Sequence, residues 1–274
     1  MEPKRIKSTT NPLVKAAIRV RKGHSTFKGL EFFIEGAHLL ETALASRRFK
    51  LTQAFVADAF AARHENDDLM HQLFRHLGES RVCTVSDDVM AKLSDTASPQ
   101  GIVALATGDS LSLADLQVGH PPLFVVSDGI QDPGNMGALL RLADAVGADA
   151  LIVLPGSCNP FMPKAIRSSV GSIFHIPVVH AEVVDFLGYV AARSIPLVGA
   201  DARAETSCFD ADLRGPLAVV FGNEACGLGE RISQKASFMV RVPIIGKTES
   251  LNVATSAAVI LYEALRQRAV AARC

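Results

Sequence analysis

Short apolar runs alternate with segments of helical period along almost the whole chain, and this restricts it to a layered α/β architecture. In the first half, NPLVKAAIRVRKG reads as a short basic helix and EFFIEGAHLLETALAS as a strand running into a helix. LTQAFVADAF reads as a strand and its exit, DDLMHQLFRHLGES as a helix, RVCTVSDDVMAKLSD as a strand followed by a helix, and ASPQGIVALAT as a buried strand. The second half repeats the pattern through the strands PLFVVSDGI, DALIVLPGS, IPVVHA, PLVGADA, LAVVF and SFMVRVPII. Helical segments lie between most of them, and the long helix LNVATSAAVILYEALRQRAV closes the chain. Strands spaced by helices predict a mostly parallel sheet covered on both faces. GDSLSLADLQVGHPP, with two prolines, two glycines and little apolar period, separates the halves. The expected organisation is a first domain over 1–107, a linker over 108–120 and a second domain over 121–274.

The 274 residues, 49% of them hydrophobic, suffice for a sizeable core. No run approaches the roughly 18 apolar residues of a membrane helix, and MEPKRIKSTTNP lacks the apolar stretch of a secretion signal. The expectation is a soluble cytoplasmic protein with no membrane partner. Five scattered cysteines (Cys83, Cys158, Cys208, Cys226, Cys274) form no C-x-x-C pair, and eight histidines show no H-E-x-x-H spacing, so neither a disulfide framework nor a metal is expected. The chain balances 28 basic against 28 acidic residues, which argues against a nucleic-acid partner until the distribution is considered. Residues 1–30 hold Lys4, Arg5, Lys7, Lys15, Arg19, Arg21, Lys22 and Lys28 against Glu2 alone, a net of +7. Such a segment is either a solvated terminus or an arm for a polyanion.

Three polar, glycine-rich turns follow predicted strands of the second half. The first, DPGNMGALLRLADAVGA, opens a helix, but its glycines miss the G-x-G-x-x-G offsets, and no G-x-x-x-x-G-K-[ST] occurs anywhere. Gly134 and Gly137 are explained as readily by the sharp strand-to-helix turn alone. In the second, VVFGNEACGLGE, the glycine density permits close approach of a ligand to the backbone, with Glu224 as an acceptor, or is merely an ordinary turn with an exposed glutamate. In the third, VPIIGKTESLNVATSAA, Ser250 or Asn252 suits a helix N-cap as well as a site. All three lie at carboxyl ends of predicted strands, the edge where open α/β sheets bind ligands.

DPGNMGALLRLADAVGA, VVFGNEACGLG and VPIIGKTESLNVATSAAVILYE resemble, in order and spacing, the three motifs of the SpoU (TrmH-type) RNA ribose 2'-O-methyltransferases of the SPOUT superfamily. FFIEGAHLLETAL resembles the opening of the L30e-like substrate-binding domain often placed before them. The resemblance implies a C-terminal parallel-sheet SPOUT domain with a deep trefoil knot, preceded by a smaller L30e-like α/β domain. Pattern reading alone, with its rule against knots, leads to an ordinary doubly wound sheet. The resemblance further implies a homodimer that transfers the methyl of S-adenosylmethionine to a ribose 2'-hydroxyl of structured RNA. 23S ribosomal RNA is the first expectation; transfer RNA and a catalytically silent RNA-binding protein of the same fold are the alternatives.

By the same resemblance, Arg141 activates the 2'-hydroxyl and Asn135 orients the ribose, with Glu224, Ser250 and Asn252 around the catalytic centre. Since a guanidinium is a poor base, its physically sound role is to stabilise the developing alkoxide and hold the adjoining phosphate. Gly222, Val242, Ile244 and Leu251 match cofactor-binding positions. Arg167 and Ser168 match a phosphate-contacting pair, and Lys164 extends their basic face. Arg5, Lys7, Asn11, Lys15 and Arg19 are candidates for RNA backbone contacts, whereas Glu35 and Gly36 are expected to be structural. The motifs alone leave the methylated nucleotide unassigned.

Overall fold

A computed structural model describes residues 4–23, 30–63 and 67–271, so Glu2, Lys28 and Cys274 of the sequence reading lie outside the described residues. The chain forms two units, Met1–Ser110 with Phe161–Phe174, and Leu111–Pro160 with His175–Cys274.

In the first unit, β1 (Lys4–Ile6) precedes α1 (Pro12–Arg21), whose start is set by Pro12 and by Asn11, which accepts the Leu13 N–H at 2.9 Å. There follow β2 (Leu30–Glu35), α2 (Ala37–Ala45), β3 (Phe49–Ala57), α3 (Asp58–Arg63), α4 (Asp68–Leu77), β4 (Val82–Val85), α5 (Asp87–Leu93) and β5 (Ile102–Gly108). Their sheet has the order β1-β4-β3-β5-β2; β5 runs antiparallel to both its neighbours, and the remaining pairs are parallel. Three-residue β1 is too short to show a period, and the sequence reading has no strand there.

The second unit contains β6 (Leu123–Asp128), α6 (Pro133–Ala145) and β7 (Ala150–Val153). After α7 (Pro163–Ser169), which belongs to the first unit, it continues with β8 (Val178–His180), α8 (Val183–Ala192), β9 (Leu197–Ala200) and β10 (Leu217–Gly222). It ends with α9 (Glu230–Lys235), β11 (Phe238–Val240) and α10 (Val253–Ala271). The sheet order is β11-β9-β10-β6-β7-β8, with every pair parallel as expected. Central β6 and β10 are buried at every residue, which is why they read as unbroken apolar runs rather than as alternation. Phe124, Val126, Ile152, Phe186, Ala218 and Val220 form the core of one face. Ala257, Ile260, Leu261 and Ala264 bury the apolar side of α10, which packs on α6 and β10. Short α9 is an element that the glycine-rich sequence around it conceals.

The segment 161–174 is the departure from chain order. Phe161 and Phe174 join Phe32 and Phe49 in an aromatic cluster with ring centroids 5.1–6.3 Å apart, worth about 0.5–1.5 kcal/mol per pair beyond area burial. That burial accounts for α7 packing on β2 rather than on the strands next to it in sequence.

Candidate active site

Parallel pairing of β6 with β10 puts Asp128 directly beside Gly222, so the first and second turns leave the same sheet edge from adjacent strands. They are stitched together by two residues, Asp128 and Asn223, to which the sequence reading assigns no role. The buried Asp128 carboxylate accepts the Gly229 N–H at 2.7 Å, and Asn223 donates Nδ2 to the Gly129 carbonyl at 2.8 Å. The Asn223 Oδ1 accepts the N–H groups of Ala225 and Cys226, and Asn223 and Gly227 exchange two backbone hydrogen bonds. Gly227 takes a φ of +72°, and a Cβ on Gly222 would lie 2.4 Å from the Gly227 carbonyl carbon. Glycine is therefore required at both positions by geometry, as the ordinary-turn explanation holds. A carboxylate ending the otherwise apolar run LFVVSD was the one available signal for Asp128.

The third turn reaches the other two through α10. Asn252 Oδ1 accepts the N–H groups of Ala254 and Thr255 at 2.9 and 3.4 Å, so Asn252 is the N-cap. That fixes the orientation of its amide and leaves Nδ2 to donate, which it does to Asn135 Oδ1 at 3.0 Å. Asn135 Nδ2 in turn donates to Glu224 Oε1 at 2.8 Å. Asn135 itself sits in the first turn of α6, where its N–H is capped by Asp132 at 3.0 Å. One residue from each motif thus joins a single hydrogen-bonded row, Glu224–Asn135–Asn252, in which the direction of every amide is dictated by its partners. One Nδ2 hydrogen and one Oδ1 lone pair of Asn135 remain for a ligand hydroxyl.

Behind this row the second and third turns enclose a cleft of ≈ 680 Å³ with β9 and β11. Its lining includes the predicted Gly222, Val242, Ile244, Leu251, Glu224, Ser250 and Asn252. Val242, Ile244, Leu251 and Ile260 supply apolar walls for a flat ring, and charged groups lie among them: Asp201, Arg203, Glu224, Arg241 and Glu249. The size falls in the range of about 300–1,000 Å³ typical of small-molecule sites. Hydrogen bonds from Arg203 hold the Asp201 carboxyl below its usual range, and the same pairing raises the Arg203 guanidinium. The sequence reading missed Asp201 and Arg203 because the loop after β9 matches no motif.

Arg141 is exposed on α6 and, among the described residues, has no hydrogen bond or ion pair; in particular it is not tied to Asn135. Arg167 and Ser168 lie on α7 in the first unit, where Arg167 Nη2 donates to Asp95 Oδ2 at 3.0 Å. Asp95 is held in turn by the buried Glu35, which accepts the Asp95 N–H at 3.0 Å and the hydroxyls of Ser94 and Thr96, a structural role as expected. The basic segment divides. Arg5 pairs with Asp58, and Arg21 caps the end of α5 by donating to the carbonyls of Leu93 and Ser94. Lys7, Lys15 and Arg19 are exposed, and among the described residues none forms an ion pair; Lys15 and Arg19 stand one turn apart on α1. Among the described residues no helix is long and apolar enough to cross a membrane, and no group of three His, Cys, Asp or Glu side chains is placed to hold a metal.

An all-parallel sheet carrying a glycine-walled cleft and a polar row at its carboxyl edge places the chain among the α/β proteins that bind ligands at that edge. The chain belongs to the SpoU rRNA Methylase family, whose model matches residues 122–262; an MRM3-like substrate binding domain matches residues 11–104. It is similar to the 23S rRNA (guanosine(2553)-2'-O)-methyltransferase RlmP of Bacillus subtilis (strain 168), with 30% identity over 94% of this chain and 98% of the relative. A crystal structure of an RNA 2'-O ribose methyltransferase superposes with a TM-score of 0.81 at 36% identity, covering 97% of this chain and 99% of the other. The SpoU methyltransferase AviRb from Streptomyces viridochromogenes, in complex with the cofactor AdoMet, superposes with a TM-score of 0.84 at 28% identity, covering 94% and 98%.

Proposed function

We propose that this protein transfers a methyl group from S-adenosylmethionine to a ribose 2'-hydroxyl of 23S ribosomal RNA. The observation that carries the reading is the row Glu224–Asn135–Asn252, which joins the three motifs beside the cleft. The cleft fits the cofactor in size, in its apolar walls and in its mixture of charges, and relatives with this activity match nearly the full chain.

When bound, S-adenosylmethionine supplies an electrophilic methyl on a positively charged sulfur. Val242, Ile244 and Leu251 would hold its adenine, with backbone groups at Gly222 close by, and Ser250 would border the same space. Asn135, locked from both sides, uses its remaining Nδ2 hydrogen and Oδ1 lone pair to orient the ribose hydroxyl. Arg141 stabilises the negative charge that develops on the 2'-oxygen and steadies the neighbouring phosphate. No group among the described residues engages it, which leaves its donors for that purpose. The 1–107 domain would bind RNA through Lys7, Lys15 and Arg19, Arg5 being engaged by Asp58, with Arg167 and Ser168 as further phosphate contacts, and 121–274 would carry out the transfer. Cytoplasmic location and a homodimer belong to this reading; the half-exposed Tyr262 and Val270 on α10 offer apolar surface for a second copy. The trefoil knot belongs to this reading too, supported by the path of the chain from β10 beyond β9 to β11 and back to pack α10 on α6 and β10.

Incubation with methyl-labelled S-adenosylmethionine and purified ribosomal or transfer RNA tests the proposal. Label in 2'-O-methylated nucleotides of 23S RNA is expected. Label in transfer RNA alone would reassign the substrate, and no label despite cofactor binding would refute the activity.

A further inference from the structure

Five carboxylate and guanidinium side chains line the cleft, and their partners divide them. Asp201, Glu224 and Glu249 are carboxylates, and Arg241 directs Nη1 to the Ala204 carbonyl at 2.9 Å. Arg203 is placed differently. Its Nε donates to Asp201 Oδ1 at 3.1 Å and its Nη2 to Asp201 Oδ2 at 2.9 Å, so one edge of the guanidinium is consumed and its plane is fixed. The adjacent edge, Nη1 with the second hydrogen of Nη2, has no protein acceptor among the described residues. Nη2 lies 3.9 Å from where a Cβ on Gly227 would stand, which sets the group against the second turn.

A planar edge with two parallel donors matches a carboxylate in a bidentate, charge-assisted pair. S-adenosylmethionine has one anionic group, the carboxylate of its methionyl arm, and two cationic ones, the ammonium and the sulfonium. We propose that Arg203, oriented by Asp201, receives that carboxylate. The inference rests on the reading of the cleft as the cofactor site. The wall holds three carboxylates and two guanidiniums, a balance that suits a ligand of net charge +1 and opposes a phosphate of RNA as the anion at Arg203. Asp201 is the positioning residue: it leaves the free edge of the guanidinium with a defined direction instead of a mobile side chain.

Calorimetric titration of wild type, Arg203→Ala and Asp201→Asn with three ligands tests this: S-adenosylmethionine, its decarboxylated analogue, and 5'-methylthioadenosine, which lacks the whole amino-acid arm. Wild type is expected to prefer S-adenosylmethionine over the decarboxylated analogue by roughly tenfold or more. Arg203→Ala should erase that preference by weakening S-adenosylmethionine alone, and Asp201→Asn should reduce it in part. The Arg203 side chain is 83% exposed, so its truncation removes no core contact, and an unchanged melting midpoint checks this. Equal loss for all three ligands, or no loss for S-adenosylmethionine, would overturn the assignment while leaving the cofactor reading intact. Failure of wild type to bind any of the three would overturn both.

Discussion

Asn135 is the residue on which the site turns, because its amide is held by Glu224 on one side and Asn252 on the other, 89 and 117 positions away. The motifs made each of these residues a candidate; that they form one row was not legible, since no spacing rule relates positions so far apart. The free guanidinium of Arg141 leads to the sharpest prediction: Arg141→Ala lowers kcat about 10²–10³-fold while the dissociation constant for S-adenosylmethionine, measured by calorimetry, changes less than twofold. A parallel loss of cofactor affinity would contradict its placement on the RNA side. Gly222→Ala acts in the opposite way. Its new Cβ would meet the Gly227 carbonyl carbon at 2.4 Å and Leu228 N at 2.6 Å, so the second turn must move. Cofactor binding is expected to weaken at least tenfold, with a melting midpoint lowered by an overpacking cost of about 1–3 kcal/mol.

At the scale of elements, α10 illustrates a role that periodicity only half reveals. Its apolar residues read as a buried face, and they are, yet Glu263 is buried among them. Its carboxylate accepts from Arg266 Nη2 and Nε at 2.7 and 2.8 Å and from Gln267 Nε2 at 2.8 Å, while Gln267 also ties the Leu213 N–H and the Ala211 carbonyl to the helix. These hydrogen bonds, chiefly from Arg266, hold the Glu263 carboxyl below its ordinary value of 4.5. A carboxyl depressed in the folded state contributes stability above its unfolded value and loses it as pH falls through the folded one. Glu263→Gln should therefore lower the midpoint at pH 7 by the equivalent of about 1–2 kcal/mol, and the gap should narrow as pH falls below 4.5. A gap that is constant with pH would show that packing, not charge, is what Glu263 supplies. The short β1 and α9 escaped the sequence reading because three or six residues show no reliable period.

Over the whole molecule, 28 basic and 28 acidic residues cancel, so attraction to RNA must come from local placement rather than from net charge. Not all of the basic segment is available for it, since Arg5 and Arg21 are engaged within the fold while Lys15 and Arg19 project from one face of α1. Reversing both in Lys15→Glu with Arg19→Glu should weaken binding of a 23S RNA transcript by tenfold or more in about 0.1 M salt and flatten its salt dependence. S-adenosylmethionine affinity should stay unchanged, and an unaltered salt slope would remove these residues from the RNA contact.

The amino-acid pattern alone was enough for the α/β class, the parallel sheet of the second unit, the three turns and the motif residues that line the cleft, Gly222, Glu224, Val242, Ile244, Ser250, Leu251 and Asn252. These depend on local pattern: apolar period, strand-ending glycines and polar residues at helix starts. Only the tertiary structure decided that 161–174 packs with the N-terminal residues, that Asp128 and Asn223 stitch two turns together, and that Arg203 faces the cleft with one edge free. Each of those depends on segments far apart in the chain coming together, through the aromatic cluster for 161–174, the β6–β10 pairing for Asp128 and Asn223, and the cleft walls around Arg203. β10 pairs with β6 at a separation of 94 positions, Leu217 against Leu123, and burial of both sheet faces, not local preference, selects that neighbour.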